Sequence, residues 1–195
     1  MSKININKIN EEIVSEYEDN YKEYVDIIGN YRSCTKLSGN LFALIIKKYI
    51  DKIFKEHNLK YKVSNNNAFI KGCPVEWDLI ILKDTALDRE NNVFESNDVI
   101  CVIELKAGGQ PLKKDKDICL KNLYDKKFKQ IDKIRFIYIS YFDMTNSYLH
   151  IKNYFNSKNQ NNNSVFTFYS GNSYPTRKYI EECNDFEKFI CDIVK

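Results

Sequence analysis

The chain has 195 residues, of which 43% are hydrophobic and 29% are charged, and its formal net charge is +3. This length and composition predict one globular domain and exclude a chain that is disordered throughout. The small basic excess, 30 residues against 27 acidic ones, also excludes a histone-like basic tail.

Two amphipathic helices open the predicted fold. Hydrophobic residues recur at helical spacing over residues 6–28, and Gly29 with Asn30 ends this segment. Its many acidic residues predict a solvated outer face. A second helix is predicted over residues 38–56. Its apolar side carries Leu41, Leu44, Ile45, Tyr49 and Ile53.

Four strands follow in the middle of the chain. Residues 59–63 and 68–70 flank three asparagines, which tolerate the left-handed conformation of tight turns, so a hairpin is predicted. Residues 76–82 and 99–106 are apolar and rich in β-branched side chains, as central strands buried on both faces are. The polar linker over residues 83–98 is expected to be an exposed excursion.

The second half of the chain alternates helices with strands. Helices are predicted over residues 114–131, 148–155 and 185–194, and buried strands over residues 134–142 and 165–169. The expected fold is therefore α/β (α+β mixed), with a central mixed β-sheet flanked by helices.

One domain is predicted over residues 1–195. Within it we distinguish an N-terminal helix (residues 1–30), a core (residues 38–142) and a C-terminal extension (residues 143–195).

Several classes of protein are disfavoured. No apolar run approaches the roughly 18 residues of a membrane-spanning helix, and the N-terminus lacks the apolar part of a secretory signal. The six cysteines form no CxxC pair, and neither His57 nor His150 lies near a cysteine cluster. We therefore expect a cytoplasmic protein with no membrane contact, whose chemistry depends on carboxylates and lysines.

Charged residues interrupt two of the predicted central strands. Asp78 lies within the first strand, and Glu104 and Lys106 lie at the end of the second. A charge buried in such a strand costs several kcal/mol unless it is paired or bound to a metal. Alternate residues of a strand share a face, so Glu104 and Lys106 point the same way. If the strands pair as a hairpin, the carboxylates of Asp78 and Glu104 come within several Å of each other.

This pair of carboxylates favours a metal site. At about 4 Å two such charges repel by roughly 4 kcal/mol at an effective dielectric constant near 20. A divalent cation removes the repulsion, and oxygen ligands suit Mg²⁺ (or Mn²⁺), with the backbone carbonyl of Leu105 as a third ligand. Lys106 would orient or help deprotonate an attacking water, or stabilise charge on a phosphate. The competing interpretation is a structural ion pair at the sheet edge.

An acidic residue in one strand, then Glu-x-Lys at the end of the next and then a helix, resembles the PD-(D/E)xK nuclease superfamily, which has the restriction-endonuclease-like fold. The matching stretch runs from Pro74 to Lys106. The resemblance implies that Asp78 and Glu104 are metal ligands and that Lys106 is the catalytic lysine. It implies a Mg²⁺-dependent phosphodiesterase acting on DNA, in restriction, defence or DNA processing.

The chain departs from the family pattern at two points. Pro74 lies four positions before Asp78 instead of next to it. Many members carry a glutamate in the helix before the strands, where Asn40 is the nearest polar candidate here. Glu76 is an auxiliary candidate. It could supply a further carboxylate to the metal, contact the metal ligands without binding the metal itself, or be only a charge at the strand edge.

A basic segment follows the motif. Residues 113–135 include nine basic and four acidic residues, a balance that suits phosphate contacts but equally suits a solvated face. Gln110, which follows two glycines, is a further substrate-contact candidate. The candidate nucleic-acid contacts are Lys113, Lys114, Lys116 and Lys121.

Two functions remain open from the sequence. The first is the metal-dependent nuclease. The second is a non-catalytic subunit with the nuclease fold that binds nucleic acid or protein, as the missing helical glutamate and the modest basic charge suggest. Because cutting both strands of a duplex usually needs two sites, we expect a homodimer or a partner subunit.

Overall fold

The computed structural model describes residues 7–29, 35–87, 91–107, 126–127, 131, 134–143, 148–158, 163–170 and 178–195. Over these ranges it has four helices and nine strands. They form a six-stranded mixed sheet flanked by helices and a second sheet of three strands, which confirms the predicted fold class.

Two long helices begin the chain, as the periodicity predicts. Helix α1 (Lys8–Ile28) packs against helix α2 (Thr35–Glu56). The side chain of Asn7 accepts a backbone N–H of the first turn of α1. Gly29 ends α1 in the left-handed conformation, with φ of 68°, where a side chain would be strained.

The surfaces of these two helices differ from the prediction. The acidic face of α1 is only partly solvated, because Glu12 and Glu16 form ion pairs with Lys52 and Lys48 of α2 at 3.0 and 2.8 Å. Leu44 was predicted on the apolar side of α2 but is 58% exposed. It lies on the side of the helix opposite the buried arc, which is the physical reason for its exposure.

The nine strands, in chain order, are β1 (Tyr61–Val63), β2 (Ala68–Ile70), β3 (Glu76–Trp77), β4 (Leu79–Lys83), β5 (Val93–Phe94), β6 (Val99–Lys106), β7 (Arg135–Asp143), β8 (Ser164–Ser170) and β9 (Lys178–Tyr179). Six of them form the main sheet in the order β1-β4-β6-β7-β8-β9. In this main sheet strands β6, β7 and β8 run parallel, and the other pairings are antiparallel. The strands predicted over residues 99–106, 134–142 and 165–169 are confirmed to within one residue at each end.

The predicted hairpin of residues 59–63 and 68–70 is wrong. Strand β1 pairs with β4 in the main sheet, whereas β2 belongs to a second sheet of order β3-β2-β5. The asparagines between them carry the chain from one sheet to the other, and Asn67 does adopt a left-handed conformation, with φ of 60°. The linker over residues 83–98 is not wholly exposed, because it contributes β5 and the buried Phe94.

The continuous strand predicted over residues 76–82 is also wrong. Strand β3 pairs with β2 in the small sheet, and β4 pairs with β1 and β6 in the main sheet. Asp78 lies at the bend between them, outside both strands. The two halves of one apolar run therefore serve different sheets, and the break leaves Asp78 free to point its carboxylate at the backbone of β6.

Two further helices complete the described fold. Helix α3 (Tyr148–Lys158) packs on β8, and helix α4 (Phe186–Ile193) contacts α1, α2 and β8. Apart from residues 126, 127 and 131, the helix predicted over residues 114–131 lies outside the described residues. None of the described helices combines the length and the hydrophobicity that a membrane span requires.

Candidate active site

The pairing of β4 with β6 brings Asp78 to the end of β6. Leu79 lies opposite Ile103 in this antiparallel pair, so the residue before Leu79 approaches the residue after Ile103. The Asp78 carboxylate accepts a hydrogen bond from the backbone N–H of Leu105, with 2.6 Å between Oδ2 and N. Asp78 and Glu104 thus come from separate chain segments to one end of the sheet.

Glu104 is the most deeply buried acid that the structure describes, with 3% of its surface exposed. Its Oε1 pairs with the ammonium of Lys106, and its Oε2 pairs with the ammonium of Lys127. Lys106 also donates a hydrogen bond to the carbonyl oxygen of Leu105 at 3.2 Å. A buried carboxylate needs such partners, because burying it unpaired costs several kcal/mol.

Lys127 is the member of this cluster that the sequence interpretation missed. Besides its contact with Glu104, its ammonium lies 5.5 Å from the centre of the Trp77 ring, a cation–π contact. Trp77 is completely buried. The parallel pairing of β6 with β7 requires a crossover connection, and this requirement is the one signal that could have placed a lysine of the connecting segment beside the sheet.

A small cleft of about 110 Å³ opens on the α2 side of Asp78. Asn40, the auxiliary candidate on α2, lines this cleft together with Asp78 and Leu105. Asn66, which sequence reasoning did not select, lines it too, and its Oδ1 is buried without a hydrogen-bond partner among the described residues. The cleft therefore presents a carboxylate and side-chain amides to a small polar group.

The turn that carries Asn66 is held in place from the second sheet. The side-chain amide of Asn92 donates to the carbonyl oxygens of Asn65, Asn66 and Asn67 at 2.9–3.1 Å. The two N–H groups of this amide are shared among the three carbonyl oxygens and so hold the turn together. The turn that forms this wall of the cleft is therefore held by Asn92, which does not itself line the cleft.

The electrostatic surroundings raise the pKa of Asp78 above its ordinary value. Burial is the main cause, and the nearby charge of Glu104 adds to the rise in pKa. The hydrogen bond from Leu105 and the charges of Lys106 and Lys127 lower the pKa in part. A half-buried acid whose pKa is raised by burial and by a second acid is typical of functional sites, and structural ion pairs show the same effect.

The donor atoms suit a hard cation. Mg²⁺ is commonly held by one or two carboxylates and keeps several of its waters, and Asp78, Glu104 and the Leu105 carbonyl supply oxygens of this kind. In the ranges that the structure describes, no three acidic, histidine or cysteine side chains form a metal-binding group. A cation here would therefore depend on two carboxylates, a backbone carbonyl and water.

The remaining candidates lie elsewhere. Glu76 is exposed on β3 of the second sheet, apart from the ion pairs of Glu104. The bend at Asp78 is the reason, because it interrupts the strand that would have placed the side chains of Glu76 and Asp78 on one face. The other candidates fall outside the described residues: Gln110, Lys113, Lys114, Lys116 and Lys121.

Comparison of the chain with models of known protein families, with curated proteins and with solved structures gave no match.

Proposed function

We propose that this chain is a metal-dependent nuclease that hydrolyses phosphodiester bonds of nucleic acid, with DNA as the substrate to test first. The observation that carries the proposal is the meeting of Asp78, Glu104 and Lys106 at the ends of two paired segments. Asp78 lies at a bend beside the buried Glu104, and bringing two acids together in this way costs stability if their role is purely structural. Function offers a reason for keeping it.

Each residue has a role in this proposal. Asp78, Glu104 and the carbonyl of Leu105 would hold Mg²⁺ (or Mn²⁺), which would neutralise developing charge and make a bound water more acidic. Lys106 is partly exposed, with 30% of its side chain accessible. Its ammonium can therefore donate to a phosphate oxygen that arrives from solvent or orient the attacking water.

The wider setting follows from the same chemistry. The basic residues between positions 113 and 135 would contact the phosphate backbone and contribute a salt-dependent part of the affinity. A homodimer would bring two sites to one duplex. A cytoplasmic role in restriction, defence or DNA processing is the part of the proposal that depends most on the resemblance to the PD-(D/E)xK superfamily.

Cleavage assays with matched variants test the proposal. We expect the purified protein to cut plasmid and linear DNA with Mg²⁺ or Mn²⁺ and not with a chelator. Glu104→Gln and Lys106→Met should each reduce the rate by about a hundredfold or more. Lys83→Met, which removes an exposed lysine from the other end of β4, should cleave as the parent does.

Two results would contradict this proposal. One is equal cleavage by all variants, which would point to a contaminating nuclease. The other is an absence of cleavage by the parent protein with every divalent cation, on DNA and on RNA. Slow cleavage by Glu104→Gln or Lys106→Met supports the proposal only if the variant unfolds at the parent's temperature. The thermal unfolding measurement is needed because Glu104 is buried and its substitution can also weaken the fold.

A second candidate function has its own supporting observation. Both oxygens of Glu104 already have ammonium partners, so the charge on Glu104 is balanced without a cation. A non-catalytic subunit that binds nucleic acid or protein fits this arrangement. It predicts no heat of binding in a calorimetric titration with Mg²⁺ or Mn²⁺, whereas the nuclease predicts binding that Asp78→Asn abolishes.

A further inference from the structure

We propose that Lys127 holds the carboxylate of Glu104 in the metal-free protein and is displaced when a divalent cation binds. The inference rests on the proposed function, because it describes how cation binding at the same site is regulated. It assigns a positioning role to a lysine outside the Glu-x-Lys motif.

The first step of the argument is the occupancy of Glu104. Lys106 contacts one oxygen of its carboxylate and Lys127 contacts the other. Glu104 is almost fully buried, so there is little room for a cation to approach while both lysines stay. A cation that binds this carboxylate must therefore replace at least one ammonium.

The second step decides which lysine leaves. Lys106 is two residues from Glu104 on β6, so the strand keeps its ammonium beside the carboxylate even when a cation takes the Leu105 carbonyl. Lys127 comes from a separate segment, and among the described residues its other contact is the face of the Trp77 ring. In the described contacts Lys127 has one hydrogen bond to oxygen, and it is not tied to Glu104 through a shared strand, so Lys127 is the lysine that a cation displaces.

The third step is the charge of the site. Asp78 and Glu104 carry two negative charges, which Lys106 and Lys127 balance, so the metal-free cluster is neutral when all four are ionised. A divalent cation gives the site a net positive charge, and the freed ammonium of Lys127 becomes available to a phosphate oxygen. The site thus attracts a phosphodiester only after the cation has bound.

Trp77 provides a direct reporter, because it is the one tryptophan of the chain and Lys127 lies over its ring. We expect its fluorescence to change as Mg²⁺ is added, with the midpoint that calorimetry gives for Mg²⁺ binding. The change should be absent in Lys127→Gln. It should persist in Lys126→Gln, which removes the same charge from the exposed neighbouring position.

Calorimetry supplies a second measurement that does not depend on cleavage. Removal of a competing ammonium should tighten Mg²⁺ binding in Lys127→Gln by about tenfold, which corresponds to about 1.4 kcal/mol. Lys126→Gln should bind Mg²⁺ as the parent does. A merely structural role for Lys127 predicts the opposite sign, because a loosened site binds the cation more weakly.

The outcomes separate the inference from the proposed function. If the parent binds and cleaves with Mg²⁺ while Lys127→Gln matches Lys126→Gln in both measurements, the displacement of Lys127 is refuted and the nuclease stands. If the parent binds no divalent cation, both fall. The parent protein alone can also refute the inference, if Mg²⁺ binds to it without any change in the fluorescence of Trp77. This result does not require that any variant folds.

Discussion

Two acids meet at the end of β6, and the protein accommodates them in different ways. Glu104 is paired with two ammonium groups, so its charge is balanced inside the fold. Asp78 is stabilised by a backbone N–H and by more distant positive charges, while burial and Glu104 oppose its ionisation. Of the two, Asp78 is therefore the acid whose charge weakens the fold.

The pKa of Asp78 leads to a prediction for stability. Since the folded chain raises this pKa, the folded state binds the proton more tightly than the unfolded state does. The contribution to stability is complete below the unfolded pKa and is lost as the pH rises through the folded pKa. Asp78→Asn should therefore raise the unfolding temperature by a few degrees at neutral pH, and the difference should shrink in acid.

Thermal unfolding between acid and neutral pH measures this effect. The charges that face Asp78 are Glu104, Lys106 and Lys127, and all three are retained in Asp78→Asn. Asp26→Asn, at an exposed position on α1, is the matched control and should change little. If Asp78→Asn unfolds earlier than the parent at neutral pH, the Asp78 charge is part of the structural ion-pair network and its burial is not a cost.

At the scale of elements, the strands show what local patterns can and cannot predict. Strand β6 was predicted at its observed bounds because six of its eight residues are apolar and the strand lies in one sheet from end to end. The run over residues 76–82 is equally apolar, yet it divides between β3 and β4. The division depends on which distant strand pairs with each half, and composition carries no information about that choice.

The residues of the candidate site likewise divide into those that the local sequence reveals and those that it does not. Asp78, Glu104 and Lys106 were selected because a charge within an apolar run is visible in the sequence itself. Lys127 and Asn66 lie in polar stretches of the sequence, where nothing distinguishes them from residues that face solvent. Their place beside the site results from the crossover after β6 and from the passage between the two sheets, which are properties of the topology.

Two glycines of the helices give opposite predictions for the same substitution. Neither Gly39 nor Gly29 has a described heavy atom within 4 Å of the position that a Cβ would take. Gly39 lies within α2, so Gly39→Ala should stabilise the protein by about 0.5–1 kcal/mol. Gly29 has φ of 68°, so Gly29→Ala should cost about 1–2 kcal/mol.

The two variants should also differ in activity. Gly39 lines the cleft beside Asp78, so its new methyl group should hinder the substrate and lower kcat/KM although the fold is more stable. Gly29→Ala should leave kcat/KM unchanged at temperatures where it is folded. Urea unfolding and cleavage kinetics measure the two effects. Full activity in Gly39→Ala would exclude the cleft from the substrate path.

At the scale of the whole molecule, the first and last helices close on each other. Asn7 donates to the side chain of Asp185, which also accepts a backbone N–H in the first turn of α4. The completely buried Asn10 donates to the carbonyl of Cys183 and accepts the N–H of Phe186. Asn10 thus satisfies a donor at the start of α4 from the far end of the sequence.

This closure makes Asn10 a test of how the ends of the chain support the sheet between them. Asn10→Ala leaves one buried N–H and one buried carbonyl without partners, and each such group costs about 1–3 kcal/mol. We expect a loss of about 2–4 kcal/mol in the free energy of unfolding. Urea unfolding should show a lower midpoint with an unchanged slope, because the folded and unfolded surfaces stay the same.

Asn20→Ala on the same helix is the control, because the side chain of Asn20 bonds only within α1 in the described contacts, to the carbonyl of Glu16. Its effect should stay within about 0.5 kcal/mol. A reduced urea slope in Asn10→Ala would mean that α1 and α4 separate before the sheet unfolds. The contacts of Asn10 would then stabilise the two helices and not the sheet. An equal loss in both variants would mean that Asn10 acts through α1 itself, and the link between the two ends of the chain would then contribute nothing to stability.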